Sequence, residues 1–353
     1  MRTWQIKTAG YLLAPFVPVA AIALTETGME WLVPLAFFVL LPIARPLFGA
    51  DRVHPEDAPL HSIAFCNLVA LAPIVYLPTL LALLGKVLMM LPEASAARIV
   101  SLGLTYFTCA ALSSAAAHEL IHRRQRLANV AGRLLCASFA YPHYPESHRA
   151  HHAGPRALFR EPTPSEGGTL YGFAFESARH EWRTVSHTRW SGARGFGFDW
   201  IACAAAFSVV CVVVAYWLAG VPGIAFYAIT SFLVWFGIQG INYIQHYGLP
   251  NDGANGAPIS WEHDCPLQAA LTFNIPYHEQ HHRQVTRPYY LLDAHIIRAC
   301  LPAPYPVLFL ASLVPPLHRR LMHRTLIEVL QGKATTSGSG GDTGLIRRCL
   351  PLG

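Results

Sequence analysis

Six apolar runs, each close to the roughly 20 residues that cross the hydrocarbon core of a bilayer, restrict this chain to very few folds. They lie near residues 9 to 26, 30 to 48, 63 to 84, 99 to 117, 200 to 220 and 223 to 245. A membrane-spanning segment must satisfy its own backbone hydrogen bonds, so each run is expected to be a helix and the fold an all-α integral-membrane one. Composition agrees. Residues of the AVILMFWYC set make up 53% of the 353 residues and charged residues 13%, where a soluble domain carries about 25%. The first run ends in VAAIALTETG, which has the small residues of a cleavage site, but the second run follows so closely that the first is read as a span.

Short basic connectors stay in the cytoplasm, and this sets the orientation. Arg2 and Lys7 precede the first run, TETGME after it has no basic residue, and the next connector carries Arg45 and Arg52. The N-terminus is therefore placed inside. Four crossings return the chain to the cytoplasm at His118, where Arg123, Arg124, Arg126, Arg133, Arg149, Arg156 and Arg160 agree, although Lys86 and Arg98 lie on the opposite side. The turn LAGVPG between the last two runs falls outside, and the sixth run ends inside at His246. Residues 301 to 317 are apolar but short and carry five prolines, so they are read as an interfacial or re-entrant segment. The basic HRRLMHR after them suits an anionic cytoplasmic surface. Residues 1–330 are read as one membrane domain and 331–353 as a disordered tail.

The net charge of +6 does not point to nucleic acid, because no basic stripe interleaves with aromatics in a polar domain. Eight scattered cysteines without a C-x-x-C indicate neither a disulfide framework nor a cysteine metal site.

The histidines carry the chemistry. His118 and His122, in HELIHRR, stand at i, i+4. His148, His151 and His152, in ESHRAHH, stand at i, i+3, i+4, and His278, His281 and His282, in YHEQHH, repeat that spacing. On helices each set projects from one face. His246 ends the sixth run, so all nine lie at one membrane boundary. HELIH alone would fit a zinc protease helix. A catalytic zinc takes about three protein ligands, which leaves six histidines without a role. Two metal ions would use them. A transporter would instead keep its ligands deep within its spans.

HELIHR at 118 to 123, ESHRAHH at 146 to 152, NYIQHYGL at 242 to 249 and HEQHH at 278 to 282 resemble the histidine boxes of the membrane-bound alkane 1-monooxygenases, within the integral-membrane di-iron desaturase and hydroxylase superfamily. REPTPSEGGTLYGF at 160 to 173 and RQVTRPYYLL at 283 to 292 resemble the segments that follow the second and last boxes. The resemblance runs from about 115 to 295. It implies six transmembrane helices under a cytoplasmic, histidine-rich di-iron cap. By position it makes His118, His122, His148, His151, His152, His246, His278, His281 and His282 the iron ligands. It also implies a bacterial inner-membrane enzyme with both termini cytoplasmic. Three departures bear on the substrate more than on the metal: Ser147 stands where the second box usually begins, Gln245 replaces a glutamate before His246, and I-P-Y-H replaces L-Q-R-H in the last box.

The expected reaction is hydroxylation of an unactivated C–H bond, at an alkane terminus or an alkyl or methyl group, with O2 as co-substrate and two electrons from outside. Two irons can supply the oxidant that no side-chain acid or base can. The chain has no fused iron–sulfur or rubredoxin-like module, so the donor is expected to be a separate rubredoxin or ferredoxin with its reductase, docking on the arginine-rich face. Fatty acid desaturation, or oxidative decarboxylation to a terminal alkene, is the alternative on the same scaffold. Glu119, Glu146, Glu161 and Glu279 are candidates to orient the imidazoles through their second nitrogens, with Asn242 and Gln245 as further polar candidates. Phe107, Phe232 and Trp235 are read first as bundle packing and second as channel walls.

Overall fold

The computed structural model describes residues 3–51, 68–152, 162–190, 199–250, 258–292 and 297–331. Among these it is helical throughout, the only β pairing being an isolated parallel bridge between Glu262 and Cys300. Four helices are long and apolar enough to cross a membrane: α1 (Lys7–Glu26), α3 (Leu68–Glu93), α4 (Ala96–Ile121) and α8 (Trp200–His246). Between α1 and α3 lies the shorter apolar α2 (Leu32–Leu47). The further α-helices among the described residues are α5 (Arg126–Ser138), α6 (Tyr144–His152), α7 (Leu170–Trp190), α9 (Pro266–Leu271), α10 (His278–Arg283), α11 (Tyr305–Ser312) and α12 (Pro315–Leu330).

Two lengths differ from the sequence reading. At 1.5 Å per residue the 47 residues of α8 would extend about 70 Å, more than twice a hydrocarbon core. It is not one rod. Gly220 has φ +62°, a left-handed value that glycine alone adopts without strain, and Pro222 follows it. A Cβ on Gly223 would collide with the Ala215 carbonyl, so the two arms meet just beyond the bend. Tyr227 and Ser208, one from each arm, both donate to the Ala137 carbonyl, so the arms run back side by side. The turn thus falls within LAGVPG, as read. The second departure is α2, which is too short at full pitch to match its neighbours and is interrupted by a π-helical turn at Ala36–Leu40.

α4 fixes the direction of the bundle. The Ser95 hydroxyl caps its N-terminus by accepting the Arg98 amide at 3.3 Å. Arg98 also donates to the Thr25 carbonyl at 2.7 Å, tying α4 to the C-terminal end of α1. The other end of α4 carries His118 and is capped by His122. Hydropathy ends this span at 117, but the helix continues to 121 because its last turns are buried in protein instead of lipid. α5 folds back against it. A Cβ on Gly132 would come within 2.8 Å of Leu120 Cβ and 3.0 Å of the Ile121 amide nitrogen, so the crossing requires glycine. Asn129 donates to the Ile121 carbonyl at 2.8 Å and holds the same junction.

Outward faces stay apolar: Trp217 is 81% exposed, and Leu13, Val209, Ile229 and Phe232 are also exposed. In water such a belt would aggregate; in a bilayer it is the lipid face. Against the sequence reading of its cysteines, Cys300 is disulfide-bonded. The tail from 332 onward lies outside the described residues.

Candidate metal centre

Four helices bring the histidines together. α4 contributes His118 and His122, α6 His148, His151 and His152, the end of α8 His246, and α10 His278, His281 and His282. They sort into two groups. His118, His122, His148, His152 and His281 form one and His151, His246, His278 and His282 the other, and within each group one ligand atom per residue lies within 4.8 Å of every other. The i, i+3, i+4 spacing does the sorting. In α6, His148 and His152 face the first group while His151 faces the second; in α10, His278 and His282 face the second while His281 faces the first.

The nitrogens fit two metal ions. Two imidazole nitrogens bound at right angles to one ion, each at about 2.1 Å, are about 3.0 Å apart. The Nε2 pairs His148–His152 and His152–His281 are 2.9 and 3.1 Å apart in the first group, and His151–His282 and His278–His282 are both 3.0 Å apart in the second. Further inward nitrogens, Nε2 of His118 and His122, are buried without a hydrogen-bond partner, a state that metal binding would relieve. Burial is the main force holding the imidazoles of His148, His152, His278, His281 and His282 well below their ordinary pKa. It does the same to His122, lowered to about 3, with Arg149 and His151 adding to the effect. Neutral imidazole is the form that binds a metal.

The polar partners of the centre act at one remove. Glu279 accepts the amides of Ile259 and Ser260 at 2.8 and 3.2 Å and pairs with Arg283 at 2.7 Å. The Ile259 carbonyl in turn lies 2.8 Å from His246 Nδ1, which leaves Nε2 as the inward atom. Glu279 therefore positions His246 through one peptide. Glu146 pairs with Arg133 at 2.8 Å and ties α6 to α5. Glu119 pairs with Arg123 at 2.6 Å and accepts the Tyr289 amide at 3.4 Å, so its bonds hold neighbouring backbone and side chain, not a ring nitrogen. Ser147 donates to the Tyr144 carbonyl within α6 and stays outside both histidine groups. Glu161 lies outside the described residues. Gln245 and Asn242 line a cavity instead.

That cavity, of about 110 Å³, reaches His118 and His148 of one group and His278 of the other. Phe37, Phe38, Leu41, Phe107, Ile238 and Phe309 give it an apolar wall. Phe107 is therefore a wall residue, while Phe232 faces outward. Sequence reasoning missed Tyr144, whose ring stacks on His148 at 5.1 Å. Its place one turn before His148 was the available signal. It also missed the Ile259 carbonyl and the cavity residues Gln268 and Tyr305, which no spacing in the sequence connects to the boxes. None of His143, His180, His187, His263, His318 or His323 enters either group.

The fatty acid desaturase family profile matches residues 93–311, the stretch that holds all four boxes. The chain belongs to the fatty acid desaturase family. Within that family it is similar to alkane 1-monooxygenase 2 of Alcanivorax borkumensis, at 24% identity with 93% of each chain covered. It is 25% identical to alkane 1-monooxygenase 2 of Pseudomonas aeruginosa, over 83% of this chain and 82% of that protein. The xylene/toluene monooxygenase hydroxylase component XylM of Pseudomonas putida is 27% identical over 63% of this chain and 62% of its own. The desaturase-family profile thus covers both histidine groups, while these relatives are monooxygenases by name.

Proposed function

We propose that this chain is a membrane di-iron monooxygenase that hydroxylates an unactivated C–H bond of a hydrophobic molecule. The observation that carries the proposal is the opening of one apolar cavity onto histidines of both groups. A molecule in that cavity has its nearest carbons beside the metal centre and its remainder among phenylalanines and aliphatic side chains. The relatives support hydroxylation over desaturation, since both kinds named above are monooxygenases.

The nine histidines are assigned as ligands of two iron ions, five around one and four around the other. When bound, the pair supplies the reduction of O2 to an oxidant strong enough to take hydrogen from an alkyl group. The protein's own residues do the rest. Buried, neutral imidazoles present lone pairs without competing protons, Glu279 and the Ile259 carbonyl fix the His246 ring, and the phenylalanine wall excludes water. Two electrons must come from outside. A concave surface lined by Arg123, Arg124, Arg126 and Arg149 beside Trp200 suits an acidic carrier such as a rubredoxin or ferredoxin with its reductase. The two arms of α8, the short α2 and the other three spans make six crossings, with the histidine end and both termini in the cytoplasm of a bacterial inner membrane.

The test supplies iron-loaded protein with a reductase, a rubredoxin or ferredoxin, 18O2 and a panel of alkanes, alkylbenzenes and fatty acids. One 18O atom in an alcohol product is expected. An alkene without incorporated oxygen would keep the centre and overturn the reaction.

A further inference from the structure

One buried carboxylate near the histidine groups has no part in the chemistry proposed above. Glu181, on α7, is 7% exposed. Its Oε1 accepts the Tyr141 hydroxyl at 2.6 Å, the Gln239 amide at 2.9 Å and the Ser177 hydroxyl at 3.4 Å. Among the described residues its one ion-pair partner is His143, at 3.5 Å. A carboxylate buried among neutral donors is costly. Tyr141 is 1% exposed and keeps its proton, because burial and the adjacent Glu181 both push the phenol well above its ordinary pKa. Gln239 donates to the same hydroxyl oxygen at 3.1 Å, which leaves the O–H aimed at Glu181.

Rings connect this pair to the histidines. Tyr141 lies 5.0 Å, centroid to centroid, from Tyr144, which lines the cavity and stacks on His148 at 5.1 Å. On its other side Tyr141 lies 4.9 Å from the ring of His143, whose side chain is 35% exposed. A row of touching rings, His148, Tyr144, Tyr141 and His143, thus runs from a candidate ligand to solvent. Rings in contact pass single electrons readily. The pair is also arranged to lose one. A phenol that loses an electron becomes a strong acid, and Glu181 stands ready to take the proton. The pair carries one negative charge before that step and none after it, so oxidation discharges a group that burial makes costly.

We propose that Tyr141 is a redox-active tyrosine that draws oxidising equivalents away from the metal centre when no substrate fills the cavity. One electron passes from Tyr141 through the Tyr144 ring to the oxidised centre, the phenolic O–H breaks, and its proton bonds to Glu181 Oε1. A cellular thiolate at the exposed side of His143 returns one electron, and Glu181 returns the proton. Over two such cycles the two thiyl radicals join as a disulfide. An inbound electron from a carrier would need no proton acceptor beside the phenol, so the route runs outward. The inference rests on the hydroxylase reading for the source of the oxidant, while the redox property of Tyr141 stands apart from it.

Two preparations of the full chain in lipid nanodiscs test this. The iron-loaded protein is reduced, mixed with O2 without substrate, frozen and examined by electron paramagnetic resonance. The zinc-loaded protein, whose metal is redox-silent, is oxidised by flash photolysis of a ruthenium photo-oxidant, and the long-lived signal is read. A tyrosyl radical is expected in both and is lost in Tyr141→Phe. In Glu181→Gln it should fall at least about tenfold, since a positioned proton acceptor has been removed. If one variant does not fold, the other decides. A radical unchanged in the variants that fold, or none in the zinc-loaded wild type, would overturn the inference. So would iron-loaded protein that hydroxylates but forms no radical when substrate is withheld. If it neither hydroxylates nor forms a radical, the hydroxylase reading fails, and the zinc-loaded protein still decides whether Tyr141 is redox-active.

Discussion

The two histidine groups are supported in different ways. The five-histidine group sits where helices cross: His118 and His122 end α4, which α5 clamps at Gly132 and Asn129, and the buried Arg133–Glu146 pair joins α5 to α6. The four-histidine group depends on loops. His246 ends α8 just before the left-handed Gly248, and its ring is held by the carbonyl of Ile259, whose own amide is held by Glu279. One site is rigid because backbones are in contact, the other because a single carboxylate organises a loop. Disturbances of packing should therefore strike the first, and disturbances of hydrogen bonding the second.

The largest expected effect comes from two neighbouring residues. His281 faces the five-member group and His282 the four-member group. On the proposed assignment, His281→Ala leaves four ligands at its ion, and His282→Ala leaves three. The His282 variant should be purified with close to one equivalent of iron less than the wild type, and the His281 variant with a smaller deficit, both read by mass spectrometry of metal content. Equal deficits would dissolve the distinction between the groups.

Glu279→Gln comes next. It removes the charge from the bonds to Ile259, Ser260 and Arg283, and partners at this remove from a metal usually matter by about 10- to 100-fold in affinity or activity. Iron should be lost to a chelator faster from one of two kinetic phases, with the other phase unchanged. If both phases accelerate together, the loop is not specific to one group.

Gly132→Ala should destabilise by about 1–3 kcal/mol, the usual range for overpacking, because the new methyl meets Leu120 Cβ and the backbone of Ile121. A lowered unfolding midpoint in detergent, with chelator loss now faster in the opposite phase, would complete the contrast with Glu279→Gln. An unchanged midpoint would mean that the α4–α5 crossing is looser than the distances imply.

The smallest effect concerns pH. His263 lies in the loop that follows Ile259, and burial pushes its imidazole down to about 4, against about 6.5 unfolded. Between these values the unfolded chain binds more protons. Its contribution to stability is complete above about pH 6.5 and falls, by at most about 1.4 kcal/mol per pH unit, as pH drops toward 4. The stability of metal-free wild type, measured from pH 7 to 4, should decline more steeply than that of His263→Gln. Parallel profiles would place the His263 ring in contact with solvent.

The legible part of this molecule was periodic. The i, i+3, i+4 spacing at 148, 151, 152 and at 278, 281, 282 is a property of helices, and it carried over into two opposed sets of nitrogens. LAGVPG announced its bend through Gly220 and Pro222. What the sequence hid was contact between distant, irregular segments. Glu279 sits inside a histidine box and looked like a direct partner of a ring, yet its bonds run to a loop 20 residues earlier. Glu119 turns toward Arg123 because that guanidinium is one helical turn away at 2.6 Å. Gln268 is 22 residues beyond His246, with nothing periodic to link them, and its place among the cavity-lining residues comes with the bond its side-chain oxygen accepts from the Tyr305 amide at the start of α11. The length of α2 was misread for a related reason: hydropathy counts apolar residues and is blind to the π turn at Ala36–Leu40.

The central claim is that nine histidines hold two irons. Counting metals per chain tests it most directly: protein produced with iron in excess, purified without chelator, and quantified for iron and zinc against amino-acid content. Two irons per chain, falling toward one in His282→Ala, is the predicted result. One metal per chain, or zinc bound where iron was offered, would contradict it.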